Sequence, residues 1–399
     1  MFREYNLMSK TILITGGAGF IGSHLADELI SAGHKVRILD NLSEQVHGPN
    51  RSRPDYLNRA AELQVGDVRD PIAIKASLKG VDAVYHFAAM VGVGQSMYQV
   101  DDYVGVNDLD TAILLQALIE RPVERLVVAS SMSIYGEGLY RDAQGQIVTA
   151  GERSLANLKE GKWEPVGADG GRLEPQPTPE CKSPTLSSVY ALNKYVQERM
   201  CLMIGRAYNI PTVAMRFFNV YGTRQALSNP YTGVLAIFAS RLLNDNSPMI
   251  FEDGQQRRDF VHVADVARAC HLALNAEKAA GEVFNIGSGE SISVAEVAEQ
   301  LASALGKSRI APTLTRKFRV GDIRHCFADI GKAQRILGYR PEVTLSDGMT
   351  ELTDWLDGRS PSIGSSRRAG NWRSGDWRYD GCGGSPHRTA RPDRILPCW

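Results

Sequence analysis

Two hydroxyls and an ammonium stand in the chain where one reaction could use all three. The stretch VASSMSIYGEG (Val128–Gly138) carries Ser131 at the end of an apolar run, and SVYALNKY (Ser188–Tyr195) carries Tyr190 and Lys194. At i and i+4 on a helix, Tyr190 and Lys194 share one face. A free phenol has a pKa of about 10 and is a poor base at neutral pH. A neighbouring ammonium lowers that value by favouring the phenolate. The phenolate can then take the proton of an alcohol while hydride leaves the carbon. Ser131, at the end of a strand, can donate to the same oxygen. A Tyr and Lys four apart are also common on surface helices, so the pair needs support from the rest of the chain.

The segment TGGAGFIG (Thr15–Gly22) supplies that support. Gly16, Gly19 and Gly22 follow an apolar strand, and Phe20 and Ile21 open a helix. The chain must turn sharply, its backbone must approach a pyrophosphate, and the helix must lie close to the sheet. Side chains at these glycines would obstruct each of those needs. Asp40 ends the second strand, where a carboxylate can bond both ribose hydroxyls of NAD and would repel the 2′-phosphate of NADP. A loop cap, with Asn41 next to it, is the plain alternative for Asp40. Asp67, in GDVRD (Gly66–Asp70), is expected near the adenine, although an Asp in a turn is common.

These residues need a scaffold. Thr11–Thr15, Lys35–Asp40, Ala83–Ala89, Arg125–Ser131 and Pro211–Phe218 read as strands. Helical patterns cover Phe20–Ala32, Val106–Ile119 and Ser187–Tyr208. Such alternation implies βαβ units and a parallel sheet, with ligands at the carboxyl ends of its strands. Ser293 with Glu296 forms a capping box, and Leu345–Leu356 is the last clear helix. Leu139–Thr185 is a long polar insert with little periodicity, and such loops are functional or disordered. After Gly358 the Gly-, Arg-, Ser- and Trp-rich chain reads as a disordered tail.

Bulk properties narrow the partners. The 399 residues are 43% hydrophobic, enough for a sizeable core, and the formal net charge is zero. That balance argues against a nucleic-acid or anionic-membrane surface. No apolar run approaches the roughly 20 residues of a membrane span. The beginning, MFREYNLMSK, has no apolar signal core, and Met8 offers an alternative start. Cys181, Cys201, Cys270, Cys326, Cys382 and Cys398 include no C-x-x-C pair, so neither a metal site nor a disulfide framework is expected. Idle thiols in a cytoplasmic protein fit best.

From about Ser9 to Leu356 the chain resembles the extended short-chain dehydrogenase/reductases, specifically the NAD-dependent nucleotide-sugar epimerases and dehydratases. The motifs are TGGAGFIG, Asp40, GDVRD, HFAA (His86–Ala89), Asn107, SSMSIYG (Ser130–Gly136) and YALNK (Tyr190–Lys194). Further on come RFFNVYG (Arg216–Gly222), RRDFVHVADVA (Arg257–Ala267), NIGSG (Asn285–Gly289) and RVGDIRH (Arg319–His325). The implied fold is α/β: a doubly wound parallel Rossmann sheet over 9–218, interrupted by the insert, and a smaller α/β substrate lobe over 219–356, partly interleaved with it. The tail is 357–399. The resemblance implies that Ser131, Tyr190 and Lys194 are catalytic. It adds Asn41, Val68, Phe87, Ala88, Ala89, Asn107, Ser130, Tyr190, Lys194, Phe217 and Val220 to the NAD-binding residues, with Lys194 holding the nicotinamide ribose. Ser133, Asn219, Arg258, Arg319 and Asp322 would bind a nucleotide-diphosphate sugar. Arginine's planar fork suits a diphosphate, although each arginine could instead make a surface ion pair.

The resemblance also bears on the reaction. The family's 4,6-dehydratases follow this Ser or Thr with an Asp-Glu pair, and its decarboxylases place a Glu second. Met132 and Ser133 occupy those positions here, which leaves 4-epimerisation through a 4-keto sugar, with NAD retained. Asn219 replaces the Thr usual in hexuronate 4-epimerases. Thr223–Leu243 and the insert look most like dTDP-L-rhamnose 4-epimerases, which interconvert that sugar with dTDP-6-deoxy-L-talose, although such inserts often carry a Cys pair absent from Trp163–Pro175. A UDP-hexose 4-epimerase, a net oxidoreductase or a non-catalytic NAD sensor are the alternatives. The insert is expected to cover the sugar pocket. A homodimer through the helices near Val106–Ile119 and Ser187–Tyr208 is implied by resemblance alone.

Overall fold

The computed structural model describes residues 9–226, 233–319 and 322–357. Seven parallel strands form its centre: β1 (Thr11–Thr15), β2 (Lys35–Asp40), β3 (Glu62–Val65), β4 (Ala83–His86), β5 (Arg125–Ser131), β6 (Thr212–Phe217) and β7 (Val283–Ile286). Their order across the sheet is β7-β6-β5-β4-β1-β2-β3. Order reverses between β1 and β4, and an open parallel sheet binds ligands at that switch point.

Period-two alternation divides each strand between two cores. Ile12 and Ile14 point to one face, with α1 (Phe20–Ser31) and the later helix Val263–Asn275. Leu13 points to the other, with Leu114, Leu118 and Cys201 from helices Asp110–Glu120 and Val189–Ala207. A third apolar cluster gathers Leu235, Phe238, Val297, Leu301 and Leu352 from the helices Val234–Leu243, Val294–Ala304 and Leu345–Asp357. Small sheets flank it, including a pairing of Asn219–Tyr221 with Phe260–His262.

Local expectations fare unevenly. The capping box at Ser293 and Glu296 is present in both directions. The strand expected over Ala83–Ala89 stops at His86, because Phe87–Ala89 leave the sheet to pass the Gly16 turn. Val106–Ile119 is not one α-helix: Val104–Leu109 is a π-helical segment before Asp110–Glu120. Such widened turns concentrate at functional sites. The insert has structure of its own. Leu139–Arg141, Ile147–Thr149 and Glu174–Gln176 form an antiparallel sheet, and Leu155–Lys159 is a helical turn capped by Ser154. Its sequence hides this because each piece is too short to show a period. The expected tail and the alternative start at Met8 lie outside the described residues. Among the described residues no helix is long and apolar enough to cross a membrane. Cys181, Cys201, Cys270 and Cys326 are free thiols.

A buried ion network fastens the insert. Arg324, wholly buried, donates to Glu164 of the insert and to Glu252 and Asp253. His325 Nε2 lies 2.8 Å from the same Glu164. Burial works against the charge of Glu164, yet hydrogen bonds from His325 and Arg324 bring its carboxyl from 4.5 down to about 2. A carboxyl depressed in the folded state stabilises above its unfolded value, and that contribution disappears as pH falls through the folded one. The insert is therefore expected to loosen as pH drops from 4.5 towards about 2. Hydrogen exchange of the insert amides should accelerate over that window beyond the intrinsic rate, and Glu164→Gln should flatten the response.

Candidate active site

The glycine turn shows why three small residues are needed. Gly16 has φ +68°, and a Cβ there would meet Ala88 N at 2.7 Å and Ala88 Cα at 2.8 Å. A Cβ on Gly22 would meet Gly17 Cα at 2.6 Å. Gly19 differs: the nearest neighbour of its Cβ would be Gly16 O at 3.3 Å, with no other atom within 4 Å. The loop is thus closed against protein on two sides and open where α1 begins. Phe20 and Ile21 lie in the first turn, whose amides have no intrahelical acceptor. This shape suits a dinucleotide pyrophosphate.

Asp40, nearly buried, accepts from the amides of Ala18 (3.0 Å) and Leu42 (2.9 Å), so it also braces the glycine turn. Asp67 is held by Arg69, its carboxyl lying below the usual carboxylate range mainly through that hydrogen bond, with Asn41 a further partner. Val68 is buried beside it in the sheet's second core. The Phe87 amide donates to Thr15 O at 3.1 Å and the Ala88 amide to Thr15 Oγ1 at 3.3 Å, while the Phe87 ring meets Phe217 edge-on. Ala89 follows in the same loop, and Val220 packs against the first core. Asn107, buried in the π-helical segment, accepts from Met90 N at 2.7 Å and donates to Met90 O at 3.1 Å. Its side chain therefore secures the loop after β4.

Ser131 and Tyr190, remote in sequence, are brought together so that the Ser131 hydroxyl acts on the Tyr190 phenol. Ser131 ends β5, and Ser188 starts Val189–Ala207 by capping the Ala191 amide. Burial pushes the Tyr190 phenol up to about 12, and the Ser131 hydroxyl works against that rise. Lys194, one turn on, is buried and donates to Ala129 O on β5 at 3.0 Å. Burial lowers its ammonium to about 8. The Ser133 amide donates to Ser131 Oγ at 3.1 Å, and Ser133 Oγ is buried without a hydrogen-bond partner. Ser130 is engaged elsewhere: its hydroxyl donates to Glu198 at 2.7 Å.

Strand register carries the site onward. Ser131 pairs with Phe217, Asn219 with Phe260, and Arg258 with Cys326. Asn219 donates to Asp259 O at 2.9 Å. The Arg258 guanidinium bonds the carbonyls of Arg257, Ile323 and Arg324. Arg319 is exposed and lies over the Phe251 ring at 4.5 Å. The Asp322 carboxyl is raised by burial, while Arg319, Arg258 and Arg153 pull it down. Two groups result: Ser131, Ser133, Tyr190 and Lys194 at the sheet, and Arg258, Arg319 and Asp322 further out.

Sequence reasoning missed several members. Ser96 receives the Tyr190 amide at 3.0 Å, and no local pattern singles it out. Glu198, Arg216, Tyr135 and Asn285 form a buried chain behind β5, with Arg216 to Glu198 at 2.7 Å and Tyr135 to Asn285 at 2.6 Å. Arg216 and Asn285 stand in quoted motifs, but their partners are fixed only by packing. Arg153, in the insert, carried no signal.

A dinucleotide cradle beside a Ser–Tyr pair and a buried Lys marks an enzyme of the short-chain dehydrogenase/reductase kind. The chain belongs to the NAD dependent epimerase/dehydratase family, which matches residues 12–154 and 166–287, and its cofactor is NAD. The break in the match falls within the insert. A dTDP-L-rhamnose 4-epimerase of Burkholderia thailandensis is 36% identical over 359 residues, 87% of this chain and 95% of that one. The structure resembles a UDP-glucose 4-epimerase from Thermotoga maritima solved with UDP-glucose: TM-score 0.72, 30% identity, 87% of this chain and 99% of that one. It also resembles a UDP-glucuronic acid 4-epimerase from Bacillus cereus solved with UDP-glucuronic acid and NAD: TM-score 0.71, 29% identity, again 87% and 99%.

Proposed function

We propose that the protein is a nucleotide-sugar 4-epimerase in which Tyr190 is the acid–base group, and that its substrate pair is dTDP-L-rhamnose and dTDP-6-deoxy-L-talose. The observation that carries the reaction is the makeup of the turn after Ser131. Met132 is buried and cannot ionise, and Ser133 offers only a hydroxyl. The next acid, Glu137, is occupied by Tyr140 and by the amides of Arg324 and His325. Nothing there supports elimination or decarboxylation.

Bound NAD would supply the hydride acceptor and donor at C4 and a positive ring beside the phenol. Tyr190 then removes the C4 hydroxyl proton and returns it after the sugar has turned. Ser131 orients the same oxygen. Lys194 lowers the phenol's pKa as an ammonium and reaches towards the cofactor ribose. The unpartnered Ser133 hydroxyl is available to a sugar hydroxyl. Asn219, Arg258 and Arg319 hold the diphosphate, and Asp322 faces the nucleotide ribose. Tethering there leaves the hexose free to present either face.

The substrate assignment draws on the 36% identical relative and on the Thr223–Leu243 and insert sequences. Proton NMR of dTDP-L-rhamnose with the purified protein and no added cofactor tests it. A second spin system with inverted C4 coupling and no accumulating NADH is expected. An unchanged spectrum with NAD added would overturn the rhamnose assignment, and conversion of UDP-glucose instead would redirect it. The protein would act as a homodimer. Leu192 and Met203 lie three turns apart on one helix face and are 45% and 55% exposed, as is Leu109 at 53%. Sedimentation equilibrium giving a monomer would refute this.

A further inference from the structure

The insert bears on the part of the site that carries Arg319 and Asp322. Arg153 is its centre, with only 6% of its side chain exposed. One terminal guanidinium nitrogen donates to Glu252 at 2.7 Å and to Trp163 O at 3.2 Å; the other terminal nitrogen donates to Asp322 O at 2.7 Å. Glu252 adjoins Phe251, the ring beneath Arg319. Its amide also donates to Lys317 O at 2.8 Å. A single insert side chain thus holds the turn that supports Arg319 and the backbone that presents Asp322.

The rest of the insert reinforces both ends. Trp163 meets the Phe318 ring at 6.1 Å. Glu164 bonds Arg324 and His325. Thr178 exchanges backbone hydrogen bonds with Phe327 and Asp329 at 2.8 and 3.1 Å. Both terminal guanidinium nitrogens of Arg153 are occupied and its charge is matched by Glu252, so it is not built to grip a phosphate itself. It can fix the groups that do.

We propose that Arg153 is a positioning residue for the nucleoside-diphosphate end of the substrate, and that through it the insert sets nucleotide affinity rather than sugar chemistry. This rests on the reading above, in which Arg319 and Asp322 face the nucleoside diphosphate. It departs from the expectation that the insert covers the sugar. Preorganisation explains the effect: without Arg153, binding must also order Arg319 and the backbone at Asp322, and that cost is taken from affinity.

The test is titration calorimetry of NAD-loaded full-length protein with dTDP and with UDP, alongside initial rates. Arg153→Ala is expected to weaken nucleotide binding about tenfold, the size of one lost charge-assisted hydrogen bond. KM for the nucleotide sugar should rise equally, with kcat changed by no more than about twofold, because bound substrate reaches the same transition state. Arg153→Lys should restore affinity only in part, since one ammonium cannot hold Glu252, Trp163 and Asp322 as the fork does. Trp163→Ala, which loosens Phe318 from the same insert, should act in the same direction and decides the matter if Arg153→Ala does not fold. Unchanged dTDP and UDP affinity in the folded variants would overturn the proposal, as would a loss of kcat with affinity retained. Wild-type protein that binds neither nucleotide would instead remove the functional reading beneath it, and the proposal with it.

Discussion

Tyr190→Phe should lower the epimerisation rate by about 10³-fold, within the usual contribution of a positioned acid–base group, while NAD stays bound. The phenylalanine keeps the ring and its edge-on contact with Tyr103, at 6.4 Å between centroids, and removes only the hydroxyl. The helix start is unaffected, because the Tyr190 backbone amide still donates to Ser96 Oγ. What disappears is the phenol oxygen on which Ser131 acts, one helical turn before the buried Lys194. At about 10³-fold the loss corresponds to about 4 kcal/mol of transition-state stabilisation. NAD released by acid and quantified should match wild type, and the melting temperature should stay close. A variant that remains fully active would remove Tyr190 from its proposed role.

Gly19→Val should lose the cofactor and keep the fold, whereas Gly16→Val should lose both. At Gly19 the backbone is extended and a Cβ would meet one atom only, Gly16 O at 3.3 Å, so a shift of a few tenths of an ångström in the turn accommodates it. The added side chain would occupy the place where a pyrophosphate meets the first amides of α1. At Gly16 a Cβ would press on the Ala88 backbone, and the positive φ disfavours any other residue. The left-handed conformation costs about 1–2 kcal/mol, and overpacking costs about 1–3 kcal/mol more. Bound NAD per protomer and melting temperature of the cofactor-free proteins separate the two effects. If Gly19→Val retains NAD at full occupancy, the cradle lies elsewhere.

Much of this was legible in the chain. Strands Thr11–Thr15, Lys35–Asp40 and Arg125–Ser131 were readable to the residue, because each is a short apolar run closed by a turn residue. Asp40, Gly16 and Gly22 were readable because backbone geometry restricts what can stand at those positions. The meeting of Ser131 with Tyr190 followed from placing both at the carboxyl edge of a parallel sheet, whatever the length of chain between them. Their chemical roles, and those of Asn219, Arg258, Arg319 and Asp322, are proposals; Tyr190→Phe tests the role of Tyr190 directly.

What the sequence by itself determined was the layer architecture, the cofactor cradle and the types of group at the sheet edge. Periodicity and glycine constraints are local, and local rules can be read without a fold. What only the tertiary structure decided was how distant groups share protons and charge. Ser130 turns its hydroxyl to Glu198, Asn107 spends its amide on Met90, and Lys194 reaches Ala129. The insert lies against Phe318, Asp322 and Arg324 through Trp163, Arg153 and Glu164. Each of those contacts joins residues far apart in the chain. A buried charge must find a partner, but its own neighbours in sequence do not say which one.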